Sequence, residues 1–284
     1  MKYKLLAVDL DGTLLDDLET ISKQNLAAIH KAQARQVRIV ITTGRSYASA
    51  ENYIRALNVR DACITYNGAL IHYGSAVLKK VTMNDETARA AARFLVHSGF
   101  CPIVYCTDGR KYYETADSRT RDFFESVTGS EKGLTFMTGL LERPLRTPPW
   151  SDVIRVSVIV GGEDIAPLHA SCGKTFGPGI RTISTFFPGW NFWTFELLDR
   201  ESSKSTALAF VCRLYGIRPE EVIAVGDNDN DVDMIAWAGK GVAMRNALPS
   251  VLKAADYITG HSNNEHGVAE VIDRFILDGK RLGR

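Results

Sequence analysis

Apolar residues cluster in short runs at 5–8, 37–42 (interrupted by Arg38 and ending in Thr42) and 222–225, each too short for a helix and each giving way at once to polar residues or glycine. Such runs mark strands buried on both faces of a sheet. Between the first two runs the spacing turns helical over 22–36, where Leu26, Ile29 and His30 fall near one face. A second helical pattern covers 46–57, and a short strand at 63–66 ends in Asn67-Gly68. Residues 69–80 read as a hairpin turning at Gly74-Ser75. Strands alternating with helices predict βαβ units around a mostly parallel sheet.

The pattern changes in the middle of the chain. A helix is predicted from Asn84, with Asp85 and Glu86 in its first turn and Gly99 just past its end. Strands at 103–106 and 111–114 follow. Residues 129–151, with Pro144, Pro148 and Pro149, read as an irregular surface connection. Beyond it, 153–160, 162–172, 181–186 and 191–198 read as strand, helix, strand and strand. Alternation returns with a helix over 203–215, capped by Gly216, and then the strand 222–225. A helix, a short strand at 241–244, a helix at 247–254, Tyr257-Ile258 and a closing helix to Ile276 complete the chain. The expected fold class is α/β. One doubly wound, mostly parallel core is built from residues 1–82 and 192–284, with an α+β module inserted at 83–191.

The core strands end in acids. Asp9 and Asp11 follow the first run, one residue apart, before Gly12. Side chains two positions apart on extended backbone point the same way, here toward the carboxyl edge where open α/β sheets bind ligands. Paired carboxylates repel unless a cation or a shared proton neutralises them. A strand running into a solvated Asp-Gly turn has the same local sequence. The run Gly226-Asp227-Asn228-Asp229-Asn230-Asp231 repeats the pattern after 222–225, and in a parallel sheet it lies on the same edge. Converging carboxylates there suit Mg²⁺, which binds through a few carboxylates and substrate phosphate. A calcium loop of the EF-hand type is disfavoured, because Val232 and Ala238 stand where it needs glycine and glutamate.

Two further positions complete a phosphoryl-transfer set. Thr43-Gly44-Arg45 stands where a strand gives way to a helix, so a hydroxyl and backbone N–H groups can cradle phosphate. Lys204 opens a core helix, where a cation opposes the helix dipole. Asp9 is then the candidate nucleophile, Asp11 the acid/base, Lys204 the neutralising cation, and Asp227 and Asp231 the metal acids. Attack by an aspartate divides the displacement into two steps through an aspartyl phosphate. Mg²⁺ and Lys204 would neutralise the charge that spreads over the phosphoryl oxygens.

Composition narrows the partners. The 284 residues carry 34 basic and 33 acidic side chains, a net charge of +1 without a long basic run, so no nucleic acid is expected. Five scattered cysteines lack metal-ligand spacing and suit a reducing compartment. No run is long enough for a membrane span, and the first apolar run meets Asp9 too soon for a signal sequence. A cytoplasmic protein acting on a small phosphorylated metabolite is expected, with no sequence signal of oligomeric state.

Asp9-Leu10-Asp11-Gly12-Thr13, Thr43-Gly44-Arg45, Lys204 and the run from Gly226-Asp227 to Asn230-Asp231 resemble the four motifs of the haloacid dehalogenase superfamily. Asn67-Gly68-Ala69, Met234, Gly241-Val242-Ala243-Met244 with Asn246-Ala247, Ala255-Asp256 and Gly267-Val268-Ala269 resemble its Cof-type phosphatases. The third motif departs from the usual Gly-Val-Asp/Ser-Lys-Gly run, reading Glu201-Ser202-Ser203-Lys204-Ser205 with the lysine kept. The resemblance implies a Rossmann-like core whose insert is a substrate-selecting cap. It implies Mg²⁺ held by Asp9, the backbone carbonyl of Asp11, and Asp227, with Asp231 close by. It also implies a phosphate-binding set of Leu10, Thr43, Gly44, Lys204 and Asn230. Arg119, Arg121 and Trp190 of the insert are conceivable substrate contacts. The implied activity is Mg²⁺-dependent hydrolysis of a sugar phosphate, nucleotide or phosphorylated cofactor. A phosphotransferase or phosphomutase on the same fold competes with it. So does a non-catalytic phospho-receiver domain, which carries its aspartate on a central strand and lacks so large an insertion.

Overall fold

The computed structural model describes residues 2–113, 134–136, 148–187 and 191–277. From the N-terminus come β1 (Leu5–Val8), α1 (Lys23–Ala34), β2 (Arg38–Thr42), α2 (Tyr47–Ala56), β3 (Cys63–Thr65) and a hairpin of β4 (Leu70–Tyr73) and β5 (Ala76–Lys80). Next are α3 (Asp85–His97), β6 (Ile103–Cys106), β7 (Lys111–Tyr113), β8 (Leu134–Phe136), β9 (Val153–Val160), α4 (Gly162–Phe176), β10 (Ile180–Phe187) and β11 (Phe192–Asp199). The chain closes with α5 (Lys204–Tyr215), β12 (Val222–Gly226), α6 (Val232–Trp237), β13 (Lys240–Ala243), α7 (Pro249–Ala254), β14 (Tyr257–Ile258) and α8 (Gly267–Ile272). Two compact units result, Met1–Lys79 with Ser203–Arg284, and Lys80–Ser202.

The first unit is a doubly wound α/β layer structure. Its sheet runs in the order β14-β13-β12-β1-β2-β3-β4-β5. The strands from β14 to β3 are parallel, and β4 returns antiparallel to β3. Strands from the two ends of the chain thus meet at the centre, where Val8 of β1 pairs with Ile41 of β2 and Val225 of β12. Leu5, Leu6, Ala7 and Val8 are all fully buried, as an unbroken apolar run requires of a central parallel strand. The helices begin and end on sequence signals. Ser22 caps α1 by accepting the Asn25 N–H, and Gly216 ends α5 in the left-handed conformation at φ +64°.

The second unit is built on a sheet of order β10-β11-β9-β6-β7-β8. Its neighbours are antiparallel except for β7 and β8. Ala88, Ala91, Ala92 and Leu95 of α3 and Leu168 and Cys172 of α4 join Val104, Val156, Val158, Phe195 and Leu197 in one apolar cluster. Alternation along the strands puts Tyr105, Arg155, Ser157, Thr194 and Glu196 on the opposite face. There Arg155 Nη1 lies 2.5 Å from Glu196 Oε1, and its guanidinium carbon 4.1 Å from the Tyr105 ring centre.

Three elements differ from expectation. The strand β8 lies inside the stretch read as irregular, because three residues are too few to show a period. The helix predicted over 162–172 continues to Phe176, carried past Gly173 by its remaining turn. The strand β11, assigned by sequence to the core side of the boundary at 192, pairs with β9 and β10 in the second sheet, and the second unit runs to Ser202. Glu114, Arg119, Arg121, Pro144 and Trp190 lie outside the described residues. No helix among the described residues is long and apolar enough to cross a membrane.

Candidate active site

Because β1, β2 and β12 are parallel and in register, the residues that follow them emerge on one edge: Asp9, Thr43 and Asp227. Backbone bonds hold these exits. The Asp9 N–H donates to the Val225 carbonyl at 3.1 Å, and the Thr43 N–H to the Ile64 carbonyl at 2.9 Å. After Asp9 the chain bends sharply at Gly12, which has φ +70°. A side chain there would be strained, and its Cβ would run into the Asp227 carboxylate, so the site requires glycine. The bend returns the Thr13 hydroxyl to Asp227 Oδ1, 2.7 Å away. Three asparagines tie the carbonyls of the same loop. Asn246 donates to Gly12 at 2.8 Å, Asn25 to Leu14 at 3.2 Å and Asn263 to Leu15 at 3.1 Å.

The carboxylates of Asp9, Asp227 and Asp231 each offer an oxygen within 4.8 Å of the others. Lys204, the first residue of α5, is fully buried beside them. Its Nζ donates to Asp9 Oδ1 at 2.7 Å and to Asp231 Oδ1 at 2.5 Å. Asp231 Oδ2 accepts the backbone N–H groups of Asp227 and Asn228, each at 3.1 Å, and closes the acidic turn upon itself. Burial raises the Asp9 pKa well above the ordinary carboxylate range, against the pull of Lys204 and with the help of the neighbouring acids. Burial, then repulsion from Asp231, pushes Asp227 up to about 7. Burial alone would depress the Lys204 ammonium, but Asp231 and Asp9 outweigh it and its pKa is raised. One ammonium thus faces three carboxylates, two of which hold protons too tightly. A hard divalent cation fits this all-oxygen donor set, and Asp9 and Asp227 have oxygens left to hold it.

Asp11 lies apart from that cluster. Its half-exposed carboxylate is gripped by Arg45, with Nη2 2.5 Å from Oδ1 and Nε 2.9 Å from Oδ2, and the guanidinium also reaches Glu19 at 3.2 Å. Burial works against the Arg45 charge, but its hydrogen bonds to Asp11 prevail and raise its pKa. Thr43 is fully buried and accepts the Arg45 N–H on its hydroxyl at 3.1 Å. Leu10 is fully buried in the core, so its main chain is the part available to a ligand. Asn230 donates through Nδ2 to Asn67 Oδ1 at 2.9 Å, while its own Oδ1 is buried and has no partner among the described residues.

The structure therefore brings Asp9, Lys204, Asp227 and Asp231 into contact range, and carries Asp11 onto Arg45. Sequence reasoning left the roles of Arg45, Asn67 and Asn246 unassigned, although each stands in a run it had singled out. The signal was a polar residue beside a predicted strand end, which by itself does not show what the side chain meets.

The family model for haloacid dehalogenase-like hydrolases matches residues 6–272. YxeH of Bacillus subtilis (strain 168) is 33% identical over 281 residues, covering 97% of this chain and 99% of its own. The 5-amino-6-(5-phospho-D-ribitylamino)uracil phosphatase YitU of the same organism is 27% identical over 287 residues, covering 96% of this chain and 98% of its own. The solved structure of a haloacid dehalogenase-like hydrolase from B. subtilis superposes with a TM-score of 0.80 at 25% identity, over 96% of this chain and 100% of that one. The chain belongs to the haloacid dehalogenase-like hydrolases. Within that superfamily it is a phosphatase.

Proposed function

We propose that the enzyme hydrolyses a small phosphomonoester in two steps through an aspartyl phosphate on Asp9, with Mg²⁺ as its cofactor. The observation that carries this reading is the buried Lys204 bridging Asp9 and Asp231 beside Asp227 at the sheet edge. Lys204 engages Asp9 Oδ1, whose second lone pair would serve the cation, and Oδ2 attacks phosphorus. The ester oxygen departs with a proton from Asp11. Asp11 then takes a proton from water as that water attacks the same phosphorus, which releases phosphate and restores Asp9. Mg²⁺ held by Asp9, Asp227 and the Asp11 carbonyl would supply positive charge for the phosphoryl oxygens. The Thr43 hydroxyl, the main chain of Leu10 and Gly44, Lys204 and the Asn230 amide would hold those oxygens. Since Arg45 covers both oxygens of Asp11, proton transfer requires that grip to open.

The inserted unit is the proposed selector of the leaving group, because the core residues address the phosphoryl group alone. The face of its sheet that carries Tyr105, Arg155 and Glu196 has the mixture of aromatic and charged groups that suits a small polar metabolite. The phosphorylated ribitylaminouracil named for YitU falls in that class. Five free cysteines fit a cytoplasmic setting. The test is turnover of p-nitrophenyl phosphate with Mg²⁺, with excess chelator, and with Asp9→Asn. Turnover should stop in chelator and in the variant. Acid-quenched labelled enzyme should carry its phosphoryl group on Asp9, and label trapped on another residue would overturn the assignment.

A further inference from the structure

The turn after β3 holds three successive residues in the left-handed region: Tyr66 at φ +49°, Asn67 at φ +55° and Gly68 at φ +96°. A bulky side chain such as that of Tyr66 rarely adopts this conformation, and strained backbone persists only where its surroundings impose it. Here three loops impose it. The Tyr66 and Asn67 N–H groups donate to the Arg45 and Thr43 carbonyls at 3.0 and 3.1 Å. Gly68 lies so close to the Ser203 backbone that no Cβ fits, and Ser203 caps the helix that begins with Lys204. Asn67 itself is 2% exposed, and its Oδ1 accepts the Asn230 amide at 2.9 Å. A Cβ on Gly44 would lie 3.1 Å from the same Oδ1, tighter than ordinary contact.

We infer that Asn67 is a positioning residue for the phosphoryl group, acting through Asn230 and Gly44. Its side chain touches two members of the phosphate-binding set, and its turn packs against the segments that carry two more, Thr43 and Lys204. The Oδ1 acceptor fixes which end of the Asn230 amide turns toward Asn67, and leaves one N–H of that amide for a phosphoryl oxygen. Asn67 suits the position because asparagine tolerates left-handed backbone and its amide fills the space that Gly44 leaves open. The inference rests on the proposed reading of Leu10, Thr43, Gly44, Lys204 and Asn230 as phosphate ligands.

The experiment compares wild type, Asn67→Gly, Asn230→Ala, the double variant and Gly44→Ala, all in full-length enzyme with Mg²⁺. Glycine keeps the left-handed backbone and removes the acceptor. KM for p-nitrophenyl phosphate and the inhibition constant of inorganic phosphate are measured beside the melting temperature. Asn67→Gly should weaken phosphate inhibition and raise KM by about tenfold, the scale of one lost hydrogen bond, with a smaller change in kcat. In the Asn230→Ala background the same change should have little further effect. An unchanged inhibition constant in Asn67→Gly, or the full factor repeated in the double variant, would overturn the inference. Should Asn67→Gly fail to fold, Gly44→Ala decides the matter: it keeps every N–H yet crowds Asn67, so KM should rise, and a wild-type KM overturns the inference. Wild-type enzyme that inorganic phosphate does not inhibit would refute the phosphate-site reading, and this inference with it.

Discussion

Replacing Asp227 by asparagine separates the burden this carboxylate places on the fold from its use in the site. Without a cation beside it, Asp227 is pushed up to about 7, chiefly by burial and next by Asp231. An unfolded chain holds the same carboxyl near its ordinary pKa of about 3.9. Between about pH 4 and 7, then, the folded protein binds a proton that the unfolded chain has released. Folding is favoured by this group below the lower value, and the advantage is lost as pH rises through the upper one. The whole interval corresponds to about 4 kcal/mol. Asp227 is only partly buried, and solvent screening brings the expected effect to about 2 kcal/mol. The replacement amide would keep an oxygen for the Thr13 hydroxyl while removing the charge. In excess chelator at about pH 7.5, Asp227→Asn should therefore melt roughly 4–8 °C above wild type, and near pH 4 the two should coincide. Added Mg²⁺ should stabilise wild type more than the variant at neutral pH, because the cation replaces the proton. Thermal melts at both pH values, with and without metal, make the measurement. A variant no more stable than wild type at neutral pH in chelator would refute the reasoning, since the carboxylate would then have no repulsion for a cation to relieve.

Lys204→Met should destabilise the fold by about 3–5 kcal/mol at neutral pH, because it strands two buried carboxylates, and the deficit should shrink in acid as they take up protons. A shift of the urea midpoint worth less than about 1 kcal/mol would show that the ammonium is not what holds Asp9 and Asp231 together. Arg45→Ala should raise turnover of alkyl phosphomonoesters, which need a proton on the departing oxygen, relative to that of p-nitrophenyl phosphate, because it releases the grip on Asp11. An unchanged ratio between the two substrates would show that Arg45 does not act through Asp11.

Much of the core was legible because its strands are short apolar runs that end in chemistry-bearing residues. Parallel strands share one carboxyl edge, so the run before Asp9 and the run before Asp227 imply neighbouring acids once both are read as central strands. The convergence of Asp9, Lys204, Asp227 and Asp231 follows from that topology. The partner of Asp11 does not. An alternating strand would aim Asp11 with Asp9, but the strand ends at Val8, the chain turns from Leu10 onward, and the Asp11 carboxylate meets Arg45 instead. Which residue it meets is a tertiary fact with no local sequence mark. The same limit explains β11. Its apolar and aromatic run serves a strand in either sheet, and the pairing with β9 and β10 decides which.

Three aspartates that look alike in sequence are set apart by what donates to them. Asp231 meets three donors on its two oxygens, Lys204 on one and the Asp227 and Asn228 N–H groups on the other. It is spent on holding the lysine and the acidic turn. Asp9 gives one oxygen to the same lysine and leaves the other open. Asp227 gives one oxygen to Thr13 and faces Gly12 with the second. Carboxylates left with an open oxygen and a raised pKa are the ones that gain most from a cation, and Asp9 and Asp227 are that pair. Burial makes their repulsion strong, and the lysine, already shared with Asp231, cannot cancel it. The site is thus built to be incomplete without further positive charge.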